Sequence, residues 1–150
     1  MKYPVQIRDI QDSKRLVLPI LSRQPRSFGH LEAFIDTGAP RTILSAVDAE
    51  KLCIPFKNLE KTSPIIGFGK SNTPALAMKK FLIAIRSEDG GHKVFSVPLI
   101  VVDVPALRGM GQSILEHAYN LPTLIGMDFL EKNGLKLFID VKNNIAYLED

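Results

Sequence analysis

The chain has 150 residues, of which 45% are hydrophobic and 23% charged, and its formal net charge is +3 at pH 7. The length predicts a single domain over residues 1–150, and the hydrophobic content is enough to bury a core, which excludes a disordered chain. A nucleic-acid-binding surface is not expected, because Lys14–Arg15 and Lys79–Lys80 are the only adjacent pairs of Lys or Arg.

The same composition predicts a compartment. No stretch approaches the roughly 20 apolar residues of a membrane-spanning helix, and residues 1–15 lack the apolar segment of a signal peptide. Cys53 is the single cysteine, and a lone thiol is typical of a reducing compartment. We therefore expect a soluble, cytoplasmic protein with no membrane partner.

The first third of the chain predicts strands followed by a helix. Alternating or continuous apolar residues indicate strands at residues 5–10, 15–21 and 30–36, and a short apolar segment follows at 42–45. Ser45 then begins a predicted helix, because Ser45 and Asp48 have the spacing of a capping box. The helix is expected to end before Pro55.

The middle of the chain predicts a hairpin and two longer strands. Residues 64–74, PIIGFGKSNTP, place two glycines around Phe68 and indicate a hairpin tip. Longer strands are predicted at 75–87 and 93–103, joined by the turn sequence EDGGH. Residues 104–122 are the least regular part, with a short helix expected around residues 114–119.

The last part of the chain completes an all-β pattern. The apolar segment LIG at 124–126 precedes a short amphipathic helix, MDFLEKN, which Gly134 ends. Residues 135–149 predict a hairpin with its turn near 142–144. Short strands at intervals of about ten residues, with one or two short helices, predict a sheet that closes or nearly closes on itself.

The segment AFIDTGAPRTILS, residues 33–45, contains the first candidate for chemistry. By themselves Asp36, Thr37 and Gly38 are typical of a turn after a strand. The apolar residues on both sides change this interpretation, because an ordinary surface turn rarely separates two such runs. The pattern predicts a carboxylate near a water-poor interior, where its protonation state becomes chemically useful.

Three segments in this order resemble the retropepsin-like aspartic proteases. They are FIDTGA at 34–39, IIGFG at 65–69, and LIGMDFL at 124–130 with a hairpin after it. Each segment is weak alone, and their order and separations carry the resemblance, which covers about residues 31–148. The resemblance implies a retropepsin-like acid-protease β-barrel with one lobe per chain, and the activity of an aspartic endopeptidase.

The resemblance also implies a role for each matching residue. Asp36 is expected to be the catalytic aspartate, Thr37 to hydrogen-bond across to its counterpart in a second active loop, and Gly38 to let a bound peptide approach the backbone. Residues 65–70 are expected to form a flap over the substrate. The implied substrate-binding residues are Ala39, Ile66, Gly67, Phe68 and Gly69.

Hydrolysis by this chemistry needs two carboxyl groups, one to accept a proton from water and one to protonate the peptide carbonyl. The chain contains a single D-T-G, so a homodimer is expected, with Asp36 contributed by each copy. Asp140 ends a similar segment, LFID, but a Lys-Asn-Asn turn follows it closely, which is typical of a hairpin flank. No cofactor or metal is implied, since His30, His92 and His117 lack the spacing of metal ligands.

The sequence departs from the family at the active loop. Pro40 and Arg41 follow Ala39 where viral members often carry acids, and Met127 stands where they often carry an arginine. The ion-pair network that braces the viral active loops is therefore missing in its usual form. Asp128 is expected either to bond back to Thr42 or to stabilise the start of a helix through its dipole.

Two segments each have two possible roles, and the function has one alternative. Residues 104–122 are longer than the equivalent in compact viral enzymes and are expected to extend either the cleft rim or the dimer contact. Residues 135–149 either form an intersubunit sheet or close the barrel. The alternative function is a retropepsin-fold module for dimerisation or peptide binding, with little or no proteolysis.

Overall fold

Strands make up most of the structure. The computed structural model describes residues 1–24, 27–66 and 72–150. Within these ranges the strands are β1 Lys2–Ile10, β2 Ser13–Gln24, β3 Ser27–Ile35, β4 Ile43–Leu44, β5 Glu60–Ile66, β6 Asn72–Arg86, β7 His92–Val102, β8 Leu124–Ile125, β9 Lys136–Asp140 and β10 Ile145–Glu149.

Short helices fill the longer connections between these strands. They are α1 Ala46–Lys51, α2 Val104–Leu107, α3 Gln112–Asn120 and α4 Met127–Lys132, with a 3-10 turn at Phe56–Asn58. Ser45 caps α1 as predicted, because its side chain accepts a hydrogen bond from the backbone N–H of Asp48 at 3.1 Å. The Asp103 side chain caps α2 in the same way, through the N–H of Ala106 at 3.2 Å.

The strands form one sheet that closes on itself. Their order among the described residues is β5-β6-β7-β4-β8-β3-β2-β1-β10-β9, and an additional pairing joins β6 to β2. That pairing aligns Leu21 with Ala84 and Ser22 with Ile83. The closed part therefore runs through β6, β7, β4, β8, β3 and β2, while β1, β10 and β9 extend from β2.

The core lies against the inner face of these strands. In β3, Leu31, Ala33 and Ile35 are buried and Glu32 between them is exposed, as expected for a strand with one face on the core. Three aromatic rings link separate elements, since Tyr3 of β1 packs edge-to-face on Phe95 of β7, and Phe95 on Phe129 of α4. Their centroids are 5.3 and 5.7 Å apart, which is favourable aromatic geometry.

The predicted all-β architecture is confirmed, with differences in detail. The irregular segment 104–122 contains two helices, α2 and α3, and the structure holds more short helices than the one or two expected. The strand predicted at 30–36 starts at Ser27 and ends at Ile35, so Asp36 follows it. Among the described residues, none of the helices has the length and apolar content to cross a bilayer.

The aromatic cluster gives a test of the core. Phe129 is 0% exposed, so Phe129→Ala removes buried contacts and leaves a cavity, and we expect the free energy of unfolding to fall by about 3–5 kcal/mol. Phe138→Ala is the matched control, because Phe138 is 45% exposed and stacks on Tyr147 at the surface, so its loss is expected to be about 1 kcal/mol. Urea denaturation measures both, and equal losses would contradict this account of the core.

Candidate active site

The loop that carries Asp36 connects two strands that flank β8. The strand β3 runs parallel to β8, with Phe34 opposite Leu124 and Ile35 opposite Ile125, while β4 pairs with β8 from the other side. The backbone N–H of Asp36 donates to the carbonyl of Ile125 at 3.0 Å. Residues 36–42 therefore leave the sheet on one side of β8 and return on the other.

The Asp36 side chain organises the turn that follows it. Its Oδ1 accepts a hydrogen bond from the Gly38 N–H at 2.9 Å, and its carbonyl accepts one from the Ala39 N–H at 3.1 Å. Asp36 and Thr37 are both exposed in the single chain. The expectation of a water-poor carboxylate is thus wrong for one copy, because the buried strand ends at Ile35 and the turn carries the acid out of the core.

Gly126 allows this loop to fold tightly around the end of β8. A Cβ at Gly126 would lie 2.6 Å from the carbonyl carbon and oxygen of Arg41 and 2.8 Å from the carbonyl oxygen of Ala39. The N–H groups of Met127 and Asp128 then donate to the carbonyls of Ala39 and Pro40, at 2.9 and 3.3 Å. A side chain at residue 126 would therefore push the loop away from β8.

The Thr42 hydroxyl joins the loop to α4. It donates to Oδ1 of Asp128 at 2.8 Å and accepts from the Gly126 N–H at 3.1 Å, and Thr42 is only 2% exposed. This is the partner predicted for Asp128 from the sequence. Asp128 also accepts a hydrogen bond from the N–H of Phe129 at 2.8 Å in the first turn of α4, so it fills both proposed roles.

Arg41 provides an ion pair that the sequence did not reveal. Its Nε lies 3.6 Å from Oδ2 of Asp128, an oxygen with no hydrogen-bond partner among the described residues. Arg41 is 53% exposed, so this contact contributes less than the buried Thr42 bond. This contact nevertheless explains why an arginine is compatible with position 41, because the Arg41 side chain faces the Asp128 carboxylate that braces the loop.

A second polar cluster holds the other end of β8. The Thr123 hydroxyl donates to Oδ2 of Asp48 at 2.6 Å and accepts from the N–H of Ser45 at 3.0 Å. The carbonyl of Thr123 accepts from the Phe34 N–H at 2.9 Å. The cap of α1 and the strand before Asp36 are thereby tied to one buried residue.

A cleft opens beside Asp36. Its volume is about 510 Å³, within the usual size range of ligand pockets. Its walls are apolar apart from the Asp36 carboxylate, the His117 imidazole and backbone groups. The lining residues are Asp36, Gly38, Ala39, Pro40, Ile43, Ile65, Ile66, His117, Leu121, Pro122 and Leu124.

The cleft brings together some of the predicted site residues and adds others. Asp36, Gly38, Ala39 and Ile66 were predicted and line it, whereas Thr37 does not. Gly67, Phe68 and Gly69 lie outside the described residues. Residues 104–122 were expected to extend either the cleft rim or the dimer contact, and His117, Leu121 and Pro122 of this segment line the cleft. Their individual positions follow from the packing of α3 and not from a local motif.

Asp140 does not line this cleft. It ends β9, where its carboxylate accepts hydrogen bonds from the N–H and side-chain amide of Asn143, at 3.1 and 2.7 Å. Both bonds lower the pKa of Asp140, and the bond from the Asn143 side chain has the larger effect. The residue has the geometry of a hairpin flank.

Solved structures resemble this arrangement over most of the chain. A retropepsin-like aspartic protease from Rickettsia conorii aligns with a TM-score of 0.60 and 19% identity, covering 99% of this chain and 91% of the other. The chain has a retropepsin-like fold. At this level of identity the likeness establishes the fold alone.

Two further structures share the retropepsin-like fold. The EIAV protease in complex with the inhibitor HBY-793 aligns with a TM-score of 0.51 and 20% identity, over 87% of this chain and 98% of the other. The retroviral protease-like domain of Ddi1 from Leishmania major aligns with a TM-score of 0.50 and 18% identity, over 91% and 89%. No protein-family model and no curated protein sequence matches the chain.

The buried Thr42 hydroxyl gives a test of the site's support. Thr42→Val leaves the buried Gly126 N–H without its acceptor and removes one hydrogen bond from the Asp128 carboxylate, so we expect a loss of about 1–3 kcal/mol in unfolding free energy. Thr42→Ser keeps the hydroxyl and is expected to lose about 1 kcal/mol. Urea denaturation measures stability, and hydrogen exchange at Gly126 reports the local bond. Equal effects of Val and Ser would show that the hydroxyl does not brace the loop.

Proposed function

We propose that the chain is an aspartic endopeptidase that acts as a homodimer and hydrolyses peptide bonds in extended polypeptides. The observation that carries this proposal is the exposed Asp36 carboxylate beside an apolar cleft of about 510 Å³, in a chain with a retropepsin-like fold. The resemblance of the Asp36 loop to the family's motif gives the acid its role. The reaction uses water as the nucleophile and needs neither a metal nor a cofactor.

The proposed chemistry divides proton transfer between two carboxyl groups. An ionised carboxylate takes a proton from water as it attacks the peptide carbonyl, while a protonated carboxyl group donates to the carbonyl oxygen. Two carboxyl groups about 3 Å apart share one proton, because both cannot carry a negative charge at that separation. The pair therefore titrates as a unit.

A homodimer supplies the second carboxyl group in this proposal. A two-fold axis beside the Asp36 loop brings together the same residue from two chains. The exposure of Asp36 and Thr37 supports this arrangement, since both side chains are available to a second copy. Thr37 is proposed to hydrogen-bond across the axis and fix the two loops relative to each other.

The hairpin of β5 and β6 is proposed to cover the substrate. These strands pair antiparallel up to Ile66 and Asn72, and Ile65 and Ile66 line the cleft. Ile66 is 75% exposed, so its side chain is free to contact a ligand. Gly67, Phe68 and Gly69 complete the proposed flap. An extended peptide suits this cleft, because strand-like pairing satisfies its amides whatever its side chains.

The C-terminal hairpin has one strand edge to offer a second copy. Within the described chain β10 pairs with β1 on one side and β9 on the other, so the hairpin extends this chain's own sheet. The remaining edge of β9 is the position at which an intersubunit sheet can add. We place the dimer contact at the Thr37 loop, with this edge as a further contact, and the enzyme in the cytoplasm.

Replacing the acid tests the activity. Asp36→Asn is expected to reduce cleavage of a peptide library by about a thousandfold or more at every pH from acidic to neutral, because the amide cannot accept the water proton. Stability is expected to change little, since Asp36 is exposed and the amide oxygen can still accept from Gly38. Asp12→Asn in the β1–β2 turn is the matched control, with wild-type activity expected. Cleavage that survives in Asp36→Asn would exclude Asp36 as the catalytic acid.

Mixing two forms of the chain tests whether the acid pair spans two copies. Wild-type and Asp36→Asn chains are unfolded together and refolded. At equal amounts about a quarter of dimers retain two carboxylates, so activity per wild-type chain is expected to fall to about half. As the control, Asp12→Asn chains replace the Asp36→Asn chains in the mixture, and they are expected to raise the total activity. A constant activity per wild-type chain, or a monomer in light scattering at active concentrations, would contradict the shared pair.

The peptide library also separates the enzyme from the binding module. Intact peptides at every pH, together with a dimer confirmed by light scattering, would favour a retropepsin-fold module without proteolysis. Cleavage that depends on Asp36 supports the enzyme.

A further inference from the structure

The helix α3 and the two residues after it form one wall of the cleft. His117 lies in the last turn of α3, and Leu121 and Pro122 follow it. Ala118 is buried, and Ile114, Leu115 and Tyr119 pack against the core. The Tyr119 hydroxyl also donates a hydrogen bond to the Glu50 carboxylate of α1, which fixes the helix to its neighbour. The wall is therefore held in place by the fold.

The imidazole of His117 has an unused polar atom. Its Nε2 is shielded from solvent and has no hydrogen-bond partner among the described residues. A shielded ring nitrogen without a partner is unfavourable, because it has given up its hydrogen bonds with water. Rotation about the Cβ–Cγ bond of histidine is soft, so a ring nitrogen can turn toward a group bound in the cleft at low cost.

The composition of the cleft points to the group that His117 would meet. Besides Asp36, to which the proposed function assigns the chemistry, His117 is the single lining residue with a polar side chain among those described. Its neighbours along the wall, Leu121 and Pro122, are apolar. A ligand side chain that fits here needs an apolar stem for the wall and a hydrogen-bonding tip for the imidazole. An uncharged tip is favoured, because a charge would lose its hydration in apolar surroundings.

We infer that His117 is a specificity-determining residue, which selects polypeptide substrates carrying a side chain with an apolar stem and an uncharged hydrogen-bonding tip, such as glutamine or tyrosine. This inference rests on the proposed function of the same cleft. Its physical basis is that a site built to hydrogen-bond a polar group discriminates against the apolar isostere, which leaves the buried partner unpaired.

The test compares near-isosteric side chains at each position of a cleaved peptide. Gln is compared with Met, and Tyr with Phe, using kcat/KM for wild type, His117→Leu and His117→Gln. Wild type is expected to favour the polar member of at least one pair by about tenfold or more at one position. His117→Leu is expected to lose that preference at that position alone, and His117→Gln to keep part of it. Equal treatment of both pairs by wild type, or an unchanged preference in His117→Leu, overturns the inference.

A binding measurement separates this inference from the proposed function. Fluorescently labelled forms of the same peptides are titrated into Asp36→Asn protein with and without His117→Leu, and fluorescence anisotropy reports the affinity. A preference for the polar side chain that depends on His117, together with no cleavage of any peptide by the wild-type protein, would support the inference and reject the peptidase. Cleavage by the wild-type protein without such a preference would support the peptidase and overturn the inference. Binding with no dependence on His117, or no binding and no cleavage, overturns the inference.

A purely structural role for His117 has a different signature. His117→Leu would then change the melting temperature while the side-chain preference of cleavage and binding stayed the same. The inference expects the preference to change even where the melting temperature of His117→Leu equals that of wild type.

Discussion

The contact between Gly126 and the backbone of residues 39–41 is the constraint on which the site depends. With 2.6 Å between a built Cβ and the Arg41 carbonyl, no side chain fits without moving the loop. Because residue 126 is glycine, the loop can wrap around the end of β8 and donate and accept main-chain hydrogen bonds there. The direction in which Asp36 leaves the sheet is therefore set by backbone packing, which is more rigid than a loop held by side chains alone.

Two polar clusters fix the ends of β8. In the cluster around Asp128, burial decides which contact contributes more to stability. Thr42, at 2% exposure, bridges Asp128 and the Gly126 N–H, whereas the Arg41 side of the Arg41–Asp128 ion pair is 53% exposed and its 3.6 Å separation is longer than a hydrogen bond. Surface ion pairs contribute about 0–1 kcal/mol, and loss of a buried hydrogen-bond partner costs about 1–3 kcal/mol. The hydroxyl therefore dominates. Among the described residues, this chain braces its loop chiefly with a threonine and an aspartate, and the Arg41–Asp128 ion pair adds to them.

Local signals explain what the sequence could predict. Alternating burial in β3, the Ser45 cap and the turn after Asp36 each depend on neighbouring residues, and all three are present. The Thr42–Asp128 bond spans 86 positions and was predictable only through the family resemblance. The exposure of Asp36 and the position of His117 depend on how distant elements pack. No periodicity within residues 104–122 could show that the end of α3 faces the Asp36 loop.

The proposed enzyme would separate its chemistry from its recognition. The Asp36 loop is held by main-chain bonds and a glycine contact, so small changes there disturb the geometry of the reacting group. The wall that carries His117 belongs to a helix outside the sheet, attached through Tyr119 and Glu50 and through apolar packing. In the proposed homodimer, each chain would contribute one half-site, formed by its exposed Asp36 and its recognition wall, and the second copy would complete the acid pair.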